Sequence, residues 1–190
     1  QALSRKVLAD FDSTIVSESQ QACLSTLWAA DGPVIYPPKL TLLYRASRDG
    51  WSSSDFHSKC DYKGPTLTVI KCTGGYVFGG YAHAAWKSNG CHQASPGSFL
   101  FSLVWPSGLG PVKMMLKNNN DGHAMYCNSS YGPTFGGGND IRVCSNANSS
   151  PGSYTSLGNS YHLPDGQSSQ TFFTGQHNFQ AAEVEVFSVP

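Results

Sequence analysis

The chain is 190 residues long and carries 12 Lys and Arg against 12 Asp and Glu, a formal net charge of zero. Charged residues make up only 13%, so bulk charge draws it neither to nucleic acid nor to an anionic membrane surface. The length suits one domain, 1–190, with a substantial core, and no apolar run is long enough to insert into a membrane as a helix.

Taken in order, the elements begin at Ser17-Glu18-Ser19-Gln20. Ser17 with Gln20 fits a capping box, and Glu18 suits a helix's positive end. Cys23, Leu24, Leu27 and Trp28 then give one apolar face, and Gly32-Pro33 ends the helix. Pro37-Pro38 opens a new segment, Leu40 to Tyr44 predicts a strand, and Arg48-Asp49-Gly50 predicts a turn. Ser52-Ser53-Ser54 offers caps for a short helix to about Cys60.

A hairpin follows. Thr66 to Cys72 is rich in β-branched residues, Thr73-Gly74-Gly75 supplies the turn, and Tyr76 to Tyr81 returns. Gly79-Gly80 marks a bulge or a close backbone approach. Ala82 to Gly97 reads as a polar loop. Phe99 to Trp105 reads as a buried central strand, with Phe99, Phe101 and Leu103 in one core-facing row. Val112 to Leu116 partners it, and Asn118 to Gly122 is loop. His123 to Cys127 and Asn139 to Cys144 are short strands around the turn GPTFGGG. Ser145 to Gln170 is mostly loop. Glu183 to Val189 closes the chain, with Glu183 and Glu185 on a solvated face. Many short strands and few helices predict a mainly β fold: a two-layer antiparallel β-sandwich with small flanking helices.

Six cysteines stand at Cys23, Cys60, Cys72, Cys91, Cys127 and Cys144, with no zinc-type spacing. An even count, two glycosylation sequons at Asn128 and Asn148, and few Lys and Glu predict a secreted, extracellular protein with most cysteines bridged. At least one bridge is expected to join loops of the second half, since Cys127 and Cys144 flank GPTFGGG on strands that could be neighbours. Cys60 reads as a buried core thiol.

Enzyme chemistry finds little footing. No GxSxG elbow occurs, Glu is found only at positions 18, 183 and 185, and Gly136-Gly137-Gly138 lacks the Lys and Ser or Thr of a phosphate loop. His57 and Cys60 share a helix face, which reads as packing. The reading is a non-catalytic binding protein. Its loops offer oxygens suited to calcium and to sugar hydroxyls. The expected carbohydrate-binding residues are Asn119, Asn120, Asp121 and Asp140, with Asp121 and Asp140 also ligating calcium. Alternatively, Asp140 caps the glycine turn and binds nothing. Trp86, Trp105, Tyr126, Tyr131 and Tyr154 are candidate platforms for a sugar ring by residue type.

Family likeness adds to this. FHSKC…KGPTLTVIK…GYVFGGY (Phe56 to Tyr81) resembles the signature of the TLDc domain. Agreement continues in order through LLYRASRDGW, SFLFSL, YGPTFGGGNDI, SYTSLGNSY and FQAAEVEVF, and covers nearly the whole chain. Asn139 departs from the pattern, where a His is common before the Asp. The resemblance implies two antiparallel sheets with small helices and no established enzyme chemistry. For intracellular members it implies oxidative-stress protection through a protein partner and binding to the V-type proton pump. The chain also resembles galactose-binding lectins of sea anemones, a likeness carried by no motif, which sets the sugar as galactose-type. The leading expectation is thus a secreted lectin for glycans or glycoproteins, with calcium as a possible bridge and a homo-oligomer, such as a homodimer, as a possible assembly. The alternative is the stress-protection module.

Overall fold

The structure is a computed structural model and describes residues 11–29, 39–119 and 122–190. Strands are numbered along the chain. The first sheet, in spatial order, is β1 (Thr41–Arg45), β12 (Ala181–Ser188), β2 (Thr66–Cys72), β3 (Val77–Ala82), β5 (Phe99–Val104) and β6 (Val112–Met115). The second is β11 (Asn178–Phe179), β10 (Ser153–Thr155), β9 (Ile141–Cys144), β8 (Tyr131–Phe135), β7 (Met125–Cys127) and β4 (Cys91–Gln93). Every neighbouring pair in both sheets is antiparallel. Among the described residues three small helices flank them: α1 (Glu18–Ala29), α2 (Ala46–Asp49) and α3 (Ser53–Cys60). The fold is the expected two-layer β-sandwich.

Local signals act where the sequence places them. Ser17 and Gln20 exchange capping bonds at the start of α1, the Ser17 N–H donating to Gln20 Oε1 at 2.9 Å. Ser52 does the same with Asp55 at α3. Arg48-Asp49 belongs to a single helical turn, not a reverse turn: Asp49 Oδ2 accepts from the Arg45 N–H at 2.9 Å at the start of α2, and the Gly50 N–H donates to the Ala46 carbonyl at 3.0 Å at its end. The Gly32-Pro33 stop and the Pro37-Pro38 start lie outside the described residues.

One core fills the space between the sheets. It joins Ile70, Phe78, Leu100 and Val184 of the first sheet to Met125, Phe135, Ile141 and Phe179 of the second. A second core lies on the far face of the first sheet, where Leu67, Val69, Phe99, Phe101, Leu103 and Phe187 meet Phe11, Ile15, Val16 and Leu24. Trp28 of α1 packs edge-on to Tyr81 and Phe99 at 4.6 and 5.5 Å. The Phe99, Phe101 and Leu103 row therefore faces the helix layer, while Leu100 faces the inter-sheet core. Gly79 permits the hairpin's tight pairing: a Cβ there would lie 2.0 Å from the Thr68 carbonyl oxygen.

Two expectations are corrected. Glu185 is not solvated but fully buried, because residues 13–16 fold over the outer face of β12. Its carboxylate accepts from Ser13 Oγ at 2.5 Å, from the Thr14 N–H at 2.9 Å and from Arg45 Nε at 2.7 Å. The expected bridges are not formed, since all six cysteines are free thiols. Cys127 and Cys144 stand on β7 and β9, with β8 between them.

Candidate functional site

The two faces of the second sheet differ, and the difference starts in its strands. Met-Tyr-Cys, Ile-Arg-Val-Cys and Ser-Tyr-Thr alternate apolar or small residues with large polar or aromatic ones. Alternation sends Met125, Cys127, Ile141, Val143, Ser153 and Thr155 inward and leaves Tyr126, Arg142 and Tyr154 half-buried on the outer face.

Strand order then assembles those outer residues into one row. His177, just before β11, stacks on Tyr154 of β10 with ring centroids 4.9 Å apart. The Arg142 guanidinium of β9 lies 4.4 Å from the centre of the Tyr154 ring and 4.6 Å from that of Tyr131 on β8. Tyr131 sits 6.2 Å from Tyr126 of β7, which stacks on exposed His92 of β4 at 4.5 Å. His123 closes the end, 4.8 Å from His92. Five of the six strands contribute a member, and β11 is represented by the residue before it.

The row is pinned by hydrogen bonds at its edges. Asn139 Nδ2 donates to the Tyr154 hydroxyl at 2.6 Å, and Asn128 Nδ2 to the Tyr126 hydroxyl at 2.9 Å. His177 Nδ1 lies 3.0 Å from the Thr155 carbonyl oxygen, which only accepts, so that nitrogen carries the proton. Arg142 donates from one terminal nitrogen to the Gly152 carbonyl at 3.1 Å, while its buried Nε has no hydrogen-bond partner. The two ring faces therefore hold the guanidinium as much as hydrogen bonds do. Rings fixed in this way are a preorganised stacking surface, which binds at a small cost in ordering.

Of the aromatic residues singled out from sequence, Tyr126, Tyr131 and Tyr154 meet in this row. Trp86 and Trp105 do not. Both are core residues; the Trp86 indole N–H is satisfied inside, on Thr66 Oγ1 at 3.0 Å, and that of Trp105 at the core's edge, on the Gly110 carbonyl at 3.1 Å. His92, His123, Arg142 and His177 were missed as a group. Of this sheet only β7 and β9 were legible as strands, around Met125 to Cys127 and Ile141 to Cys144, and the order of strands that aligns the row was not.

Asp140, one residue before β9, is fully buried. Its Oδ1 accepts from the N–H groups of Gly158 at 2.8 Å, Asn159 at 2.9 Å and Tyr161 at 3.4 Å, and its Oδ2 from that of Ser160 at 3.0 Å. Burial holds the carboxyl above its ordinary range, although these four N–H groups act against that rise. The glycine run makes room for it, since Gly136 has φ +87° and a Cβ there would lie 1.9 Å from Asp140 Oδ2. Asp140 thus organises the loop 158–161. Asn119 is exposed at a separate loop, where its Oδ1 accepts from the Gly97 N–H at 3.3 Å. Asn120 and Asp121 lie outside the described residues. Among the described residues, no three His, Cys, Asp or Glu side chains cluster as metal ligands would.

His57 and Cys60 on α3 form no nucleophile and base. His57 Nδ1 is 2.7 Å from Asp61 Oδ1, and Nε2 is 3.0 Å from the carbonyl oxygens of both Asn128 and Tyr131, so both ring nitrogens are engaged. Cys60 is fully buried, and that burial pushes its thiol far above the ordinary range. Among the described residues no helix is long and apolar enough to cross a membrane.

A family model for the TLDc domain matches residues 9–190. Curated relatives agree over part of that span. The MTOR-associated protein MEAK7 of Danio rerio is 30% identical over 87 residues, which is 46% of this chain and 18% of that protein. The protein of the same name from Gallus gallus is 32% identical over 90 residues, 47% of this chain and 18% of its own length. That of Mus musculus is 36% identical over 63 residues, 33% of this chain and 14% of its own. The chain therefore spans less than a fifth of the relatives it matches.

Proposed function

Since the chain belongs to the TLDc family, we propose that it is a non-catalytic module that works by binding a protein partner through the outer face of its second sheet. The row from His177 to His92 carries this reading. It presents half-exposed rings with one arginine and three histidines, and none of its members is a carboxylate. The chemistry that complements it is a partner surface bearing carboxylates and aromatic or apolar side chains. Tyrosine and arginine are also the residue types that most often carry binding energy.

The MEAK7 relatives are named for association with MTOR, which makes MTOR the first partner to try. Purified chain would be measured against purified MTOR by interferometry, beside a Tyr126→Ala, Tyr131→Ala double variant of unchanged circular dichroism. Binding by the wild type that falls at least tenfold in the double variant supports the reading. Equal binding by both would move the interface off this face, and no binding by the wild type would remove MTOR as the partner.

The same tyrosines support a second reading, a secreted lectin that stacks galactose-type rings, with or without calcium. A glycan array run with and without EDTA separates the two. Glycosylation at Asn128 also bears on it, because that amide is the group Tyr126 holds.

A further inference from the structure

The ladder between β4 and β7 sets Cys91 directly opposite Cys127, one residue before His92 meets Tyr126. Directly opposed residues in an antiparallel ladder point to the same face, with Cα atoms about 4.5–5.5 Å apart. A disulfide needs Cα atoms about 4.4–6.8 Å apart, so either type of ladder pair falls inside the window. No other described ladder offers this. Cys72 pairs with Ala181 and Cys144 with Tyr131, while Cys60 lies on α3 and Cys23 on α1.

The two thiols are unequal, and the inequality orders the chemistry. Cys91 is exposed on a three-residue edge strand, whereas Cys127 is fully buried. Burial raises the Cys127 thiol, and the Lys87 backbone N–H and ammonium act against that rise. An oxidant from solvent reaches Cys91 first.

We propose that Cys91 and Cys127 are a dithiol modification site that takes a small-molecule disulfide as its oxidant and closes to an intrachain cross-strand disulfide. In the first exchange the Cys91 thiolate attacks one sulfur of the oxidant. A mixed disulfide forms at Cys91, and one small thiol leaves with the electron pair of the broken S–S bond. In the second, Cys127 loses its proton to solvent and attacks Cys91 Sγ. The protein S–S bond forms, and the second small thiol leaves. Two protein thiols are oxidised and one small disulfide is reduced to two thiols. The bridge ties edge strand β4 to β7 and so fixes the His92 end of the aromatic row. The site stands whether or not that row binds a protein.

The test uses the full chain, reduced and then titrated with oxidised glutathione. Samples are quenched with an alkylating agent, and intact mass and peptide maps are read under denaturation. The expected result is loss of two of the six thiols, with one cross-linked peptide joining Cys91 to Cys127 and no retained glutathione. Cys127→Ala should instead hold glutathione on Cys91, and Cys91→Ser should leave Cys127 reduced. Wild-type protein that accumulates glutathione on Cys91 without closing, or that keeps six thiols, overturns the proposal. So does a cross-link that maps to another pair. The wild-type map decides the matter even if a variant fails to fold.

Discussion

The two sheets have six strands each but meet their surroundings differently. The first is covered twice, by the second sheet on one side and by α1 with residues 11–16 on the other. Its strands accordingly read as near-continuous apolar runs, and all but the last residue of Phe99–Val104 are buried. Among the described residues the second sheet is covered once. Its strands alternate, and the outward half of that alternation is the aromatic row. One sheet spends its side chains on stability, and the other keeps half of them for contact. A face left open with fixed rings and an arginine is where function is expected, because recognition needs groups that folding has positioned but not consumed.

Substitutions should separate the sheets by size of effect. Phe101→Ala on the doubly covered sheet should lose about 3–5 kcal/mol in denaturant unfolding, through lost burial and a cavity. A loss below about 1 kcal/mol would mean that the helix layer does not seal that face. Asp140→Ala, just before β9 in the second sheet, should lose about 3 kcal/mol by the same measurement, since four backbone N–H groups lose their acceptor. That loss should be the same with and without calcium, whereas a calcium-dependent difference would restore Asp140 as a ligand.

Arg142→Ala should lose about 1–2 kcal/mol, the scale of two ring contacts to one guanidinium. Arg142→Lys should recover part of it, because a lysine ammonium lacks the flat face that lies between the two rings. The smallest stability change is expected at His92→Ala, on the exposed edge strand, within about 0.5 kcal/mol. If the partner reading holds, the same variant weakens binding, and a large stability loss with unchanged binding would reverse the contrast between the sheets.

Much of the fold was legible because its signals are short. The Ser17–Gln20 and Ser52–Asp55 caps, the Gly74-Gly75 turn and the apolar run at Phe99 each act within a few residues, so the chain states them locally. The strands missed were β4, β10, β11 and β8, where GPTF reads as turn but pairs with β9. Three of these have two or three residues, too few to show a period, and exist because a neighbour offers its ladder.

For the site, the sequence alone determined which residue types were available: the three tyrosines, the loop asparagines and the buried-leaning cysteines. Tertiary structure decided their roles. Asp140 and Glu185 are acids that composition places on the surface, but both are buried, because a loop or segment far along the chain brings donors to them. Cys91 meets Cys127, and Arg142 meets Tyr131 and Tyr154, only through the spatial order of the second sheet. Local sequence sets which face of a strand a side chain takes, since the period of two is a property of the strand. Which strands stand side by side depends on the burial of both layers at once, and no short stretch of sequence contains that information.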